Sequence, residues 1–212
     1  MDEEKYTIRE YRDSDYPICE SLVSNAWQFD ENFKPKGLAD IARCMYTKGS
    51  VINANYHTVV EFDNKVIGLL FGLNENTTPP KKSLLFGISI LLRILFLFGT
   101  PYKEKTRLLK AITTHVENRI KIAKPGRSEI VLFVIDPKHQ GKGCGKKMFS
   151  KFLSHCEQSG VESIIVETNT LGASSFYENI GFKLMGKFDS PLHEYATKDG
   201  QAVMYEYKRP CK

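Results

Sequence analysis

The sequence predicts an α/β sandwich built on a mixed sheet, and three observations carry that prediction. HTVVEF (57–62) and KVIGLLFGL (65–73) flank the pair Asp63-Asn64, two strand-forming runs across a two-residue turn, which makes a β-hairpin. EIVLFVI (129–135) is a continuous apolar run of the kind found in a central strand. A glycine loop, a helical stretch and a second buried run, VESIIVET (161–168), follow it, and that succession is a parallel βαβ unit.

The remaining elements fall into order around these. KYTIREY (5–11) alternates and opens the chain as a strand. Asp13 or Ser14 caps a helix through about Trp27, with Ile18, Leu22, Val23 and Ala26 on one face. A polar loop with Pro35 leads to a second helix, from about Gly37 to Tyr46. After the hairpin, ENTTPPKK (75–82) is a loop with a Pro-Pro stop. Lys103 to Ala123 is helical, with Leu108, Leu109, Ile112, Val116 and Ile120 at helix spacing, and Gly126 ends it. Lys142 to Ser159 is the crossover helix, Ala173 to Asn179 a short helix, and strands near 182–188 and 202–208 close the chain.

A length of 212 residues suits one domain, residues 1–212, and the 42% apolar and 26% charged content is that of a soluble globular protein. The net charge of +5 is spread along the chain with no basic block, so no nucleic-acid partner is expected. Cys19, Cys44, Cys144, Cys156 and Cys211 are odd in number and show no metal-ligand spacing, which predicts free thiols and no metal. With no apolar core in the acidic start MDEEKYTIRE, no secretory signal is expected and the expected compartment is the cytoplasm.

The chemistry concentrates at FVIDPKHQGKGCGKK (133–147). A strand that runs through a glycine-rich turn into a helix start is an anion site, because unpaired N–H groups and the helix dipole face the ligand and no side chains block it. Gly141, Gly143 and Gly145 supply the bare surface, the Gln140 amide can donate, and Lys142, Lys146 and Lys147 add positive charge. The nucleotide P-loop does not fit, since only three residues separate Gly141 from Gly145-Lys146 and Lys147 stands where a hydroxyl is needed. The dinucleotide spacing G-x-G-x-x-G fails as well.

The stretch FVIDP…QGKGCG resembles the acetyl-CoA site of the GNAT acetyltransferase superfamily, whose pattern is [Q/R]-G-x-G-x-[G/A] after a strand. NTLGASSFYENIGF (169–182) resembles the family's second motif, an Asn after the next strand, then Ala and Tyr on a short helix, then Gly-Phe. The resemblance implies a GNAT-like, largely antiparallel sheet with a splayed parallel pair at the cofactor site and helices on both faces. It also implies an acetyl-CoA-dependent N-acetyltransferase that works by direct attack in a ternary complex. The implied cofactor contacts are the backbone of Phe133, Val134 and Ile135 along the pantetheine arm, with the strands parting after Ile135. Gln140, Gly141, Lys142, Gly143, Cys144, Gly145 and Lys146 are implied to hold the pyrophosphate, and Asn169 to touch the pantetheine. Tyr177 is implied near the thioester sulfur, as the acid that protonates the departing thiolate. Cys144 lies inside the phosphate loop and is expected to be a tolerated small residue, with no acyl-cysteine role.

The general base is not identified: Glu129 and Glu167 read as surface carboxylates, Glu61 and Glu75 are comparable candidates, and a water chain serves equally. His139 is expected to be solvated, and His57, His115, His155 and His193 to be structural. The expected acceptor is a small-molecule or peptide amine. A non-catalytic acetyl-CoA-binding module is the alternative, as is a membrane-surface acetyltransferase acting on a lipid-linked or membrane-protein amine. That last option rests on SLLFGISILLRILFLFG (83–99), a nearly continuous apolar insert. It is short for a bilayer and carries Arg93 at mid-depth, and spanning would put the two parts of one expected sheet on opposite sides of a bilayer, so spanning is disfavoured and a buried core, lid or homodimer helix is favoured over a membrane-surface one.

Overall fold

Asp63 and Asn64 take left-handed backbone, at φ 49° and 61°, which is the twist a two-residue hairpin turn needs. A computed structural model describes residues 6–80, 84–170, 173–197 and 201–209 of the chain. Of the residues named above, Met1 to Lys5, Lys81, Lys82, Ser83, Leu171, Gly172 and Cys211 lie outside them.

The elements run β1 (Tyr6–Glu10), α1 (Tyr16–Trp27), α2 (Phe29–Asn32), α3 (Lys36–Asn53), β2 (Tyr56–Phe62), β3 (Lys65–Leu73), α4 (Leu84–Leu95) and α5 (Tyr102–Ile122). There follow β4 (Glu129–Ile135), α6 (Cys144–Gln158), β5 (Ser163–Asn169), α7 (Ser174–Asn179), β6 (Lys183–Asp189), α8 (Pro191–Thr197) and β7 (Gln201–Lys208). The sheet order is β1-β2-β3-β4-β5-β7-β6. Every neighbouring pair is antiparallel except β4 and β5, so the mixed, largely antiparallel sheet is as expected.

Two large cores cover the two faces, with a smaller cluster of Ala123, Ile165, Phe188, Ala202 and Met204 besides. Val59, Leu69, Phe71, Leu132 and Val134 pack with residues of α1 to α5 on one side. Val60, Leu70, Ile130, Ile164 and Val166 pack with α6, Tyr177 and Phe182 on the other. Adjacent residues going to opposite cores is the two-residue period of a strand.

That period breaks once where it matters. In β3–β4 pairing, Phe71 faces Leu132 and Gly72 faces Ile130, so Val131 has no counterpart and forms a β-bulge. The last β4–β5 pair is Ile130 with Val166. The parallel strands therefore part at the bulge, after Ile130 and not after Ile135, because the extra residue bends β4 away.

Several expectations are corrected. α3 runs seven residues past Tyr46. Asp15, not Asp13 or Ser14, occupies the α1 cap position, but its carboxylate is held by Arg9 and the Arg12 N–H. Cys19, not Ile18, faces the core with Leu22 and Val23. The apolar insert is not buried: only Ile90 and Ile94 of α4 are, and Phe98 is 92% exposed. Among the described residues no helix is long and apolar enough to cross a membrane. Cys19, Cys44, Cys144 and Cys156 are free thiols.

Candidate functional site

The glycine loop begins where β4 ends. Asp136 donates its N–H to the Ile67 carbonyl, and Pro137–His139 make one tight turn under the Asp136 side chain. Gln140 then turns its amide back onto the Ile135 carbonyl at 3.0 Å, so that side chain pins the loop to the strand it leaves. The three glycines have different reasons. Gly141 and Gly143 sit at φ 73° and 80° with open space where a Cβ would stand. A Cβ at Gly145 would meet the Phe176 ring at 3.2 Å and Ile135 at 3.3 Å. The first two shape the turn, and the third lets α6 approach α7 and β4 closely.

Helix α6 has Gly143 at its cap with no side-chain cap, so the first N–H groups of the helix carry its positive dipole end outward. Cys144 is buried, its Sγ lies 3.9 Å from the Lys142 carbonyl, and burial pushes its thiol pKa up. A protonated, buried thiol is a poor nucleophile.

One cleft of about 790 Å³ joins the parted strands to the helical layer. Phe133, Val134, Ile135, Gln140, Asn169 and Tyr177 all line it. Gly143 and Lys146 instead line a shallower groove of about 560 Å³, with Lys147, Lys151 and Tyr6. Gly141, Lys142, Cys144 and Gly145 line neither.

Two details bear on whether acetyl-CoA fits. Among the described residues Asn169 Oδ1, buried in the cleft wall, has no hydrogen-bond partner, an acceptor suited to an amide N–H such as those of pantetheine. From Val131 onward β4 has no β5 partner, which leaves a strand edge to be paired. Tyr177 is 4% exposed and packed between Phe176 and Phe182, and burial raises its pKa, so it holds its proton at neutral pH. Ser174 Oγ donates to the Asn169 carbonyl at 2.9 Å and fastens α7 to the end of β5.

The far end of the cleft holds a cluster that sequence reasoning missed. Arg119 of α5 donates to Glu129 at 2.5 Å and to Glu167 at 2.9 Å. Glu167 also lies 3.0 Å from His193 Nε2 and 3.7 Å from His115 Nε2, and His115 Nδ1 is 2.9 Å from Ser190 Oγ. Neither glutamate is a surface carboxylate: their side chains are 19% and 15% exposed. Burial raises the Glu129 pKa against the pull of Arg119. Burial pushes Glu167 up too, but the hydrogen bond from His193 and the neighbouring cations outweigh it, and its pKa falls. Burial lowers the His115 pKa and so favours a neutral imidazole. His115, Glu167 and His193 bring three potential metal-ligand atoms within 4.8 Å of one another. The one legible signal was His115 and Arg119 at i, i+4, one polar face on an otherwise ordinary helix.

The other candidates lie elsewhere. Glu61 is bound by Arg9 at 2.6 Å, Glu75 lies near Ser128, and neither lines the cleft. His139 is half-buried and stands against Tyr6 and Phe62, 3.2 Å from the Tyr6 hydroxyl.

Residues 106–189 match the family described as acetyltransferase (GNAT) domain. No curated protein matches the chain in sequence. Among solved structures, the chain is similar to PH1933 from Pyrococcus horikoshii at 17% identity and TM-score 0.61, over 97% of this chain and 99% of that one. It is similar to the ribosomal-protein-S18-alanine N-acetyltransferase of Escherichia coli at 14% and 0.53, over 98% and 96%. It is also similar to yncA of Salmonella typhimurium, solved with its cofactor acetyl-CoA, at 13% and 0.52, over 96% and 94%. At these identities the likeness is one of fold. The matched segment runs from within α5 through β6 and takes in the bulged strand, the glycine loop and Tyr177, so this part of the chain is similar to a GNAT acetyltransferase domain and the whole chain shares the fold of the structures above.

Proposed function

We propose that the protein moves the acetyl group of acetyl-CoA onto a primary amine held in the cleft, by direct attack in a ternary complex. The observation that carries this is the continuity of the cleft: the open β4 edge, Asn169 and Tyr177 share it with His115, His193 and the two glutamates that Arg119 binds, Glu129 and Glu167.

Acetyl-CoA, when bound, supplies an activated acyl thioester. The β4 edge from Val131 to Ile135 and Asn169 hold its arm, and the N–H groups from Gly141 to Lys146 take its pyrophosphate. Tyr177, kept protonated by burial, gives its proton to the sulfur as the carbon–sulfur bond breaks. The attacking amine must be neutral, and His115, kept unprotonated by burial beside Glu167, takes up the proton it sheds. Trp27, Met45, Tyr46 and Leu192 form the walls near this cluster, which suits an amine with an apolar body.

The test is calorimetric titration of the protein with acetyl-CoA, beside Gly143→Glu, followed by a panel of apolar primary amines. Binding by the parent that the variant loses, with acetylation of a panel member, is expected. A folded parent that does not bind acetyl-CoA would overturn the proposal.

A further inference from the structure

Eight of the 14 exposed large apolar side chains among the described residues lie on α4 and the turn after it, and the chemistry just described makes no use of them. Leu84, Leu85, Ile88, Leu91, Leu92 and Leu95 are all exposed, Leu84 by 80%. At about 100° per residue they cover an arc of roughly 120°. Phe96 and Phe98 extend that arc past the end of the helix. The opposite arc is the packed one: Ile90 and Ile94 are buried, and the Phe86 ring fills the space beside Gly49 of α3. A contiguous apolar face of this kind marks an interaction site, whereas scattered single leucines do not.

We propose that this face lies in the surface of an anionic lipid bilayer. Charge selects that occupant. From Leu84 to Pro101 there is one charged residue, Arg93, and no acid. The start of α5 then carries Lys103, Lys105, Arg107 and Lys110 against Glu104 alone. Lys105 donates to the Leu95 carbonyl at 2.8 Å, which ties this basic stretch to the end of the apolar helix. An apolar arc beside a basic fringe is the pattern of a helix lying in the headgroup layer, with aromatic rings such as Phe98 and Tyr102 at the boundary. At 12 residues α4 is far short of the about 20 needed to cross. A second copy of the chain suits the face less well. Two-fold pairing there would set the basic fringe of one copy against that of the other.

The test uses the full chain and sedimentation with vesicles of phosphatidylcholine, with and without phosphatidylserine. Expected are binding to the anionic vesicles, a fall of several-fold at high salt, and a fall of at least tenfold for Leu91→Glu/Leu95→Glu. Lys103→Glu/Arg107→Glu is expected to lose the preference for phosphatidylserine. Both changes are at exposed positions, and unchanged thermal melts would establish that each variant is folded. A folded parent that stays in the supernatant overturns the proposal, as does equal sedimentation of the Leu91→Glu/Leu95→Glu variant. Light scattering that finds a parent dimer which Leu91→Glu/Leu95→Glu dissolves would give the face to a second copy, and it too would overturn the proposal.

Discussion

Tyr177 lies among Phe176, Phe182 and the cleft, so its ring packs while its hydroxyl is the part that the proposed reaction would use. Tyr177→Phe keeps the ring and is expected to lower kcat by about 10²-fold, within the range for a lost general acid, while acetyl-CoA affinity stays within about twofold. A steady-state assay beside a binding titration separates the two. Glu167 and His115 make a different forecast. Both pKa values lie below those of the unfolded chain, so both groups bind fewer protons in the fold than out of it. Their stabilisation is complete above the unfolded values and is lost as pH falls through the folded ones. The His115 part goes as pH drops below about 6.5 and the Glu167 part below about 4.3. Thermal melts from pH 8 to pH 4 are therefore expected to show Tm falling with acid, less steeply in His115→Gln over the upper part of that range. An equal slope for the variant would remove His115 from the account. Activity is expected to fall over the same acid limb, because a protonated His115 cannot accept the proton of the amine.

The bulge at Val131 and the helix α6 are coupled through Gly72, which faces Ile130 beside the bulge. A Cβ at Gly72 would stand 2.4 Å from the Phe152 ring of α6, so Gly72→Ala forces that ring and the helix outward. Overpacking of this kind costs about 1–3 kcal/mol, a Tm loss of roughly 2–12 °C for a chain of this size. Because the glycine loop is the start of α6, acetyl-CoA affinity is expected to fall as well. A variant with normal Tm and affinity would show the contact to be soft. At this scale the sequence was legible where its signals are local. The hairpin turn, the central strand and the loop-to-helix junction each declare themselves within ten residues. The bulge left no trace, since Val131 is one more branched residue in a uniform apolar run. The extension of α3 past Tyr46 involves tertiary packing that no local signal shows, with Gly49 lying against the Phe86 ring of α4. The cluster of Arg119, Glu129, Glu167, His115 and His193 was not legible as a group. Its members come from α5, β4, β5 and α8, and no spacing along the chain announces that they meet.

At the scale of the molecule, the cleft divides what the sheet would otherwise join. Beyond the pairs of Glu129 and Ile130 with β5, no backbone ladder ties β4 to β5, and the α1–α5 core is largely separate from that under α6. A ligand that pairs with β4, reaches Asn169 and caps the start of α6 touches both halves at once. It binds the folded chain and not the unfolded one, so mass action makes it a stabiliser. At 100 times its dissociation constant acetyl-CoA contributes about 2.7 kcal/mol, which for this length is a rise in Tm of roughly 5–10 °C. Gly143→Glu places a carboxylate at the dipole end that would face the pyrophosphate, and its Tm is expected to be unmoved by the same ligand. The measurement is a pair of melts, parent and variant, each with and without acetyl-CoA. An equal rise in both would place the ligand away from the glycine loop, and no rise in the parent would leave the parted strands without the ligand that joins them.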